Sequence, residues 1–137
     1  MKMTNNDLWA VLKLLYPNLE GGHDYLMGCK IPKEGFEQGE HAYIFRWNAT
    51  DVPQPAQADL EAYWNENMSD VLAAQVAEAT RFERDRRLVE ADTLVERAID
   101  QDNAQAERAA RNYRQALRDL PQQPGFPDEV VWPVAPQ

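Results

Sequence analysis

Residues 58–103 read ADLEAYWNENMSDVLAAQVAEATRFERDRRLVEADTLVERAIDQDN, and neither glycine nor proline interrupts them. Alanine, leucine, glutamate and arginine dominate, so backbone propensity favours one uninterrupted helix, which at ~1.5 Å per residue would reach roughly 65 to 70 Å. Along it Tyr63, Trp64, Met68, Val71, Leu72, Val76, Ala79 and Phe82 can share one broad apolar face, and Leu88, Ala91, Leu94, Val95, Ala98 and Ile99 make a second. Glu83 to Arg87 places nothing apolar between the two, which interrupts a strict heptad seam. This pattern predicts an elongated protein that associates with itself, as a homo-oligomer, or with a partner through this helix.

Toward the C-terminus, Asn103 marks a bend before a last helix, Ala104 to Leu120, whose Tyr113, Ala116, Leu117 and Leu120 form its adhesive side. Pro121 ends that helix, and Pro124, Pro127 and Pro133 punctuate the arm beyond it. Each proline removes a backbone donor and sets φ, so an arm of this kind cannot build its own helix or sheet. Phe126, Val130, Val131 and Trp132 must therefore bury against another part of the chain or against a partner. A stiff extended segment loses little entropy on docking, the mode that proline-rich ligands use. The candidate partner-binding residues are Tyr113, Arg114, Leu117 and Arg118 on the helix and Phe126, Val131 and Trp132 on the arm. Arg114 or Arg118 is expected to pair with Asp119, Asp128 or a partner carboxylate. Docking of the arm in cis and docking in trans both stay open.

Toward the N-terminus, Thr4 or Asn5 can cap a helix running to Leu15, with Leu8, Val11, Leu12 and Leu15 on one face. Tyr16-Pro17-Asn18 ends it. Two strand-like runs, His23 to Ile31 and His41 to Trp47, flank a turn-rich loop of roughly nine residues and predict an antiparallel hairpin covered by the helix. Strict alternation places Tyr43, Phe45 and Trp47 on one face, as core beneath the helix, with Ile44 and Arg46 on the other. Asp51-Val52-Pro53-Gln54-Pro55 is a stiff connector. The fold class is α+β: a small helix-plus-hairpin module over residues 1–56, a long helix over 57–103, and a terminal helix with its docking arm over 104–137.

Composition narrows the function. With 137 residues and a formal charge of -9, the chain repels phosphate backbones and anionic membranes, so neither nucleic acid nor a membrane surface is an expected partner. A mean hydropathy of -0.66 fits a thin core with much exposed helix. Residues 51–80 carry six acids and no base, whereas 81–118 carry nine arginines against eight acids, the mixture of a solvated helix. Cys29 is the single cysteine, which excludes an internal disulfide and a thiolate cluster. Leu8 to Leu15 is too short an apolar run for a signal or a span. The expected setting is the bacterial cytoplasm, or something assembled there.

Catalytic chemistry finds little support. His23 and His41, with Asp24 and Glu40 nearby, could meet across a hairpin to hold a metal, but both flank loops and read as surface histidines. Cys29 reads as a small core residue, and Gly21, Gly22, Gly35 and Gly39 as turn glycines with no phosphate loop. No catalytic residue, cofactor or metal site is expected.

Two stretches carry resemblances. YRQALRDLPQQPGFPDEVVWP, residues 113–133, resembles the C-terminal signature of the phage tail assembly chaperone family, with the likeness reaching back to RDRRLVEADTLVERA. LYPNLEGGHDYLM, AYIFRWN and PQPAQADLEAYW resemble an XkdW-type phage tail module covering about Leu8 to Trp64. These resemblances imply a bacteriophage tail or tail-fibre accessory protein that acts by protein–protein contacts with a tail-fibre or other tail protein. It would either leave as a chaperone or stay in the virion tail. The alternative is a purely structural oligomeric adaptor.

Overall fold

The computed structural model describes residues 1–35 and 37–137. In chain order they form helix α1 (Asn5–Leu15), strands β1 (Tyr25–Gly28) and β2 (Tyr43–Trp47), helices α2 (Gln57–Glu66), α3 (Met68–Asp100) and α4 (Ala104–Arg118), and a 3₁₀ turn at Leu120–Gln122. This is an α+β protein. It falls into two compact units, Met1–Gln75 and Val76–Gln137.

In the first unit, Thr4 opens α1 with a reciprocal capping box: its hydroxyl accepts from the Asp7 N–H at 3.2 Å, and the Asp7 carboxylate accepts from the Thr4 N–H at 2.8 Å. Asp7 also accepts from Gln75 Nε2 at 2.8 Å. Burial pushes the Asp7 carboxyl up, but the bonds from Thr4, Gln75 and Trp64 outweigh it and hold the group below its ordinary value. Leu8, Val11 and Leu12 bury completely against Tyr25, Ile44, Leu60, Trp64 and Val71. At ~2 kcal/mol for each fully buried aliphatic side chain, this apolar face is the main source of the unit's stability.

The strands pair antiparallel, with Tyr25 opposite Trp47 and Gly28 opposite Tyr43, and the register shifts between Leu26 and Met27. That bulge overturns the expected alternation. Phe45 is the extra residue on β2: it stands 57% exposed while Ile44 is buried, so the three aromatics of β2 do not share the core face. Trp47 still reaches the core, stacking on Tyr25 with ring centroids 6.1 Å apart and meeting Tyr16 edge-on at 5.9 Å. β1 starts later than its apolar run, because His23 and Asp24 belong to a turn in which the Asp24 carboxylate accepts from the Glu20 N–H at 2.8 Å, and β2 starts at Tyr43, after His41 and Ala42. Gly22 sits in this turn at φ 89°, a conformation that favours glycine.

The helix expected over residues 58–103 is not continuous. Asn67 interrupts it: its backbone N–H and its side-chain amide each donate to the Tyr63 carbonyl at 2.9 Å, closing α2, while its own carbonyl accepts from Asp70 and Val71 to start α3. A local side-chain bond thus overrides the propensity of the surrounding residues. The first expected stripe is only partly buried, since Trp64 and Val71 enter the core while Leu72, Val76 and Phe82 are exposed.

In the second unit, α3 turns into α4 through Gln101 and Asp102. The Asp102 N–H donates to the Ile99 carbonyl at 3.0 Å and the Asn103 N–H to the Ala98 carbonyl at 2.9 Å, the paired bonds of a Schellman ending, with Asp102 at φ 51°. Asn103 Oδ1 then caps α4 by accepting from the Ala106 N–H at 3.0 Å. The bend expected at Asn103 is therefore a two-sided cap.

Candidate protein-docking site

Helix α4 carries Ala110, Tyr113 and Leu117 on its buried side, a spacing that forms one face. Tyr113 and Leu117 meet Ala91 of α3, with Leu88 and Leu94 at the edge of the cluster. Trp132 packs, half-buried, on the same cluster. The C-terminal segment is thus folded back on α3 and α4.

Three polar devices hold it there. The Arg87 guanidinium lies over the Trp132 ring, 4.3 Å from its centroid, while Arg87 Nε donates to Glu83 at 2.7 Å. Hydrogen bonds from Arg86 and then Arg87 hold the Glu83 carboxyl down to about 2. One turn earlier, the Thr80 hydroxyl donates to the Pro127 carbonyl at 3.2 Å, and Arg81 stands 6.0 Å from the Phe126 ring centroid. Finally, the side-chain amide of Gln123 imitates a peptide group. Its Nε2 donates to the Val131 carbonyl at 2.8 Å and its Oε1 accepts from the Val131 N–H at 2.9 Å.

Between those anchors the chain is more structured than its prolines suggest. Residues 120–122 form the 3₁₀ turn, with Leu120 fully buried, and residues 124–128 continue as turns. The Glu129 N–H donates to the Gly125 carbonyl at 2.7 Å, and a Cβ on Gly125 would run into the Glu129 carbonyl oxygen, so only glycine fits there. Residues 130–137 have no regular secondary structure.

Of the expected partner-binding residues, Tyr113 and Leu117 are buried beneath this layer and Trp132 caps them. Phe126 is half-buried, whereas Val131 is 77% exposed although the Gln123 clamp fixes its backbone. Arg114 does not pair with Asp119 or Asp128: it reaches Asp92 of α3 at 2.9 Å, because Asp92 lies one residue from Ala91 at the helix contact. Arg118 is exposed and forms no ion pair among the described residues. Arg87, Gln123 and Thr80 carried no signal of this role in sequence strong enough to single them out. For Arg87 the one clue was its place within the gap between apolar stripes, the gap that the Trp132 ring covers.

The remaining candidates lie apart. His23 is exposed and bonds Asp24 at 2.8 Å, while His41 accepts from the Met3 N–H at 2.9 Å, so the two do not meet. Among the described residues no cluster of three or more histidine, cysteine or acidic side chains could hold a metal ion, and no helix is long and apolar enough to cross a membrane. Cys29 is partly buried, with Asn5 Nδ2 3.7 Å from its sulfur.

Comparison with known proteins gives this surface a setting. Residues 77–137 match the model of the phage tail assembly chaperone protein family, and residues 8–72 match that of the XkdW protein family. No curated protein and no solved structure matches the chain. The two matches follow one another along the chain, and the layer built from Thr80 to Trp132 lies wholly within the residues that match the phage tail assembly chaperone model.

Proposed function

We propose that this protein assists assembly of the phage tail fibre by protein–protein contact, docking a tail-fibre or other tail protein through the layer of α3, α4 and residues 120–134. A role connected with the phage tail rests on the two family matches, and neither family description names a catalytic activity. The observation that carries the finer reading is the seating of Trp132 on Ala91, Tyr113 and Leu117 with Val131 and Val134 left exposed beside it. Apolar side chains held exposed on a segment already fixed in place can meet a partner with little further loss of conformational entropy. On this reading residues 104–137 are the docking element, residues 57–103 the helical body and residues 1–56 a separate attachment module. The mechanism is capping: the layer covers apolar surface on an immature fibre until the correct contacts replace it.

A retained structural adaptor is the second reading. It is favoured by Phe82 and Val89, seven residues apart on α3 and 74% and 68% exposed, which would suit self-association. Pull-down of the phage's tail-fibre protein by the full chain, by Trp132→Ala and by a chain ending at residue 120 tests the docking reading. Recovery should fall in both variants, and equal recovery by all three would overturn it. Mass spectrometry of purified virions then separates a departing chaperone, absent from the particle, from a stoichiometric subunit.

A further inference from the structure

The first residues of the chain are fastened to the hairpin through a histidine acceptor. The Met3 N–H donates to His41 Nδ1 at 2.9 Å, and the pairing is returned by the Ala42 N–H, which donates to the Met3 carbonyl at 2.8 Å. Gln38 Nε2 donates to the same carbonyl at 2.7 Å. The Met3 side chain is fully buried in the core of the first unit, and Thr4, the next residue, caps α1.

A backbone N–H can only donate, so His41 Nδ1 must offer a lone pair and the ring proton must sit on Nε2. An imidazolium carries a proton on each nitrogen and accepts nothing. Charging His41 therefore sets one N–H against another at the point where Met3 enters the core. Trp64 stands edge-on to the imidazole with centroids 5.8 Å apart, which limits reorientation of the ring. The ionisable groups lining the adjoining cavity are Lys30, Glu40, Tyr43 and Glu61, and Lys30 is paired with Glu40 at 3.1 Å. Asp7, hydrogen-bonded to Trp64, is the charged group that α1 contributes nearby.

We infer that His41 is a proton-operated latch: the neutral ring holds residues 1–4 on the hairpin, and the charged ring releases them. Release withdraws Met3 from the core and loosens the Thr4 cap, so acidification bares an apolar edge of the first unit. Histidine as a residue type ordinarily changes charge between about pH 5 and 8, which sets the interval for the test.

The test is amide hydrogen exchange of the full chain by NMR at about pH 7.5 and about pH 5, expressed as protection factors to remove the intrinsic pH dependence of exchange. Met3 and Ala42 should lose protection by about tenfold or more at the lower pH, in step with titration of the His41 ring resonances. In His41→Gln the amide oxygen accepts from Met3 without titrating, so the loss should disappear. His23→Gln, altering an exposed ring elsewhere, should leave it intact. Unchanged Met3 protection in the parent chain, an equal loss in His41→Gln, or its abolition in His23→Gln would each overturn the proposal. If His41→Gln fails to fold, the parent and His23→Gln titrations still decide.

Discussion

The central carbon of the Arg87 guanidinium lies 4.3 Å from the Trp132 ring centroid, and the same arginine pairs with Glu83 at 2.7 Å. This contact joins α3 to the C-terminal segment beside the cluster of Leu88 and Ala91 on which Trp132 packs. The arginine supplies both an apolar stem and a charge for the π face.

Removing either side should therefore loosen the segment. Trp132→Ala is expected to cost on the order of 2 kcal/mol of the second unit's stability, through lost burial and the lost cation–π contact. Arg87→Met keeps the stem and should cost about 0.5–1 kcal/mol. Urea unfolding followed by circular dichroism measures both, and no change in either variant would show that the segment is not docked in solution.

Gln123 offers a sharper probe of the same layer. Gln123→Ala removes both bonds to Val131 and should expose residues 124–137 to limited proteolysis. Gln123→Glu keeps one acceptor for the Val131 N–H but turns a carboxylate toward the Val131 carbonyl, so cleavage should be at least as fast as in the alanine variant. Slower cleavage in the glutamate variant would refute the peptide-like clamp.

At the α3–α4 turn, Asp102 occupies a left-handed conformation that suits glycine better. Asp102→Gly should stabilise the second unit by about 0.5–1 kcal/mol, since relief of the side-chain clash exceeds the added entropy of the unfolded glycine. Thermal melting reads the effect as a rise in Tm.

Acid titration should reveal the Glu83 network. The folded carboxyl is held at about 2, below its ordinary 4.5, so its stabilising contribution is complete above pH 4.5 and is lost as pH falls through about 2. Melting temperatures of the parent chain and Glu83→Gln should differ slightly at about pH 6 and converge at the acid end, the small size reflecting exposure to solvent. A gap that widened on acidification would contradict the assignment.

The α+β class, the capped first helix and the helical content of residues 58–118 were legible in the sequence, because they rest on local causes: capping side chains, apolar spacing and the absence of glycine and proline. The sequence also marked Tyr113, Leu117 and Trp132 as adhesive by size and periodicity. Only the tertiary structure decided what each of these meets. The break at Asn67 depends on one side-chain amide choosing the Tyr63 carbonyl, and the exposure of Phe45 on a bulge that no alternation pattern announces. Asp92 took Arg114 because helix pairing brought it closer than either carboxylate near it in the chain. Arg87 belongs, by sequence, to a solvated charged run; the segment 45 residues later, laid across it, gives it an aromatic partner. Periodicity reports which face of a helix is apolar; which cation receives an aromatic ring is settled by the distance between segments remote in sequence.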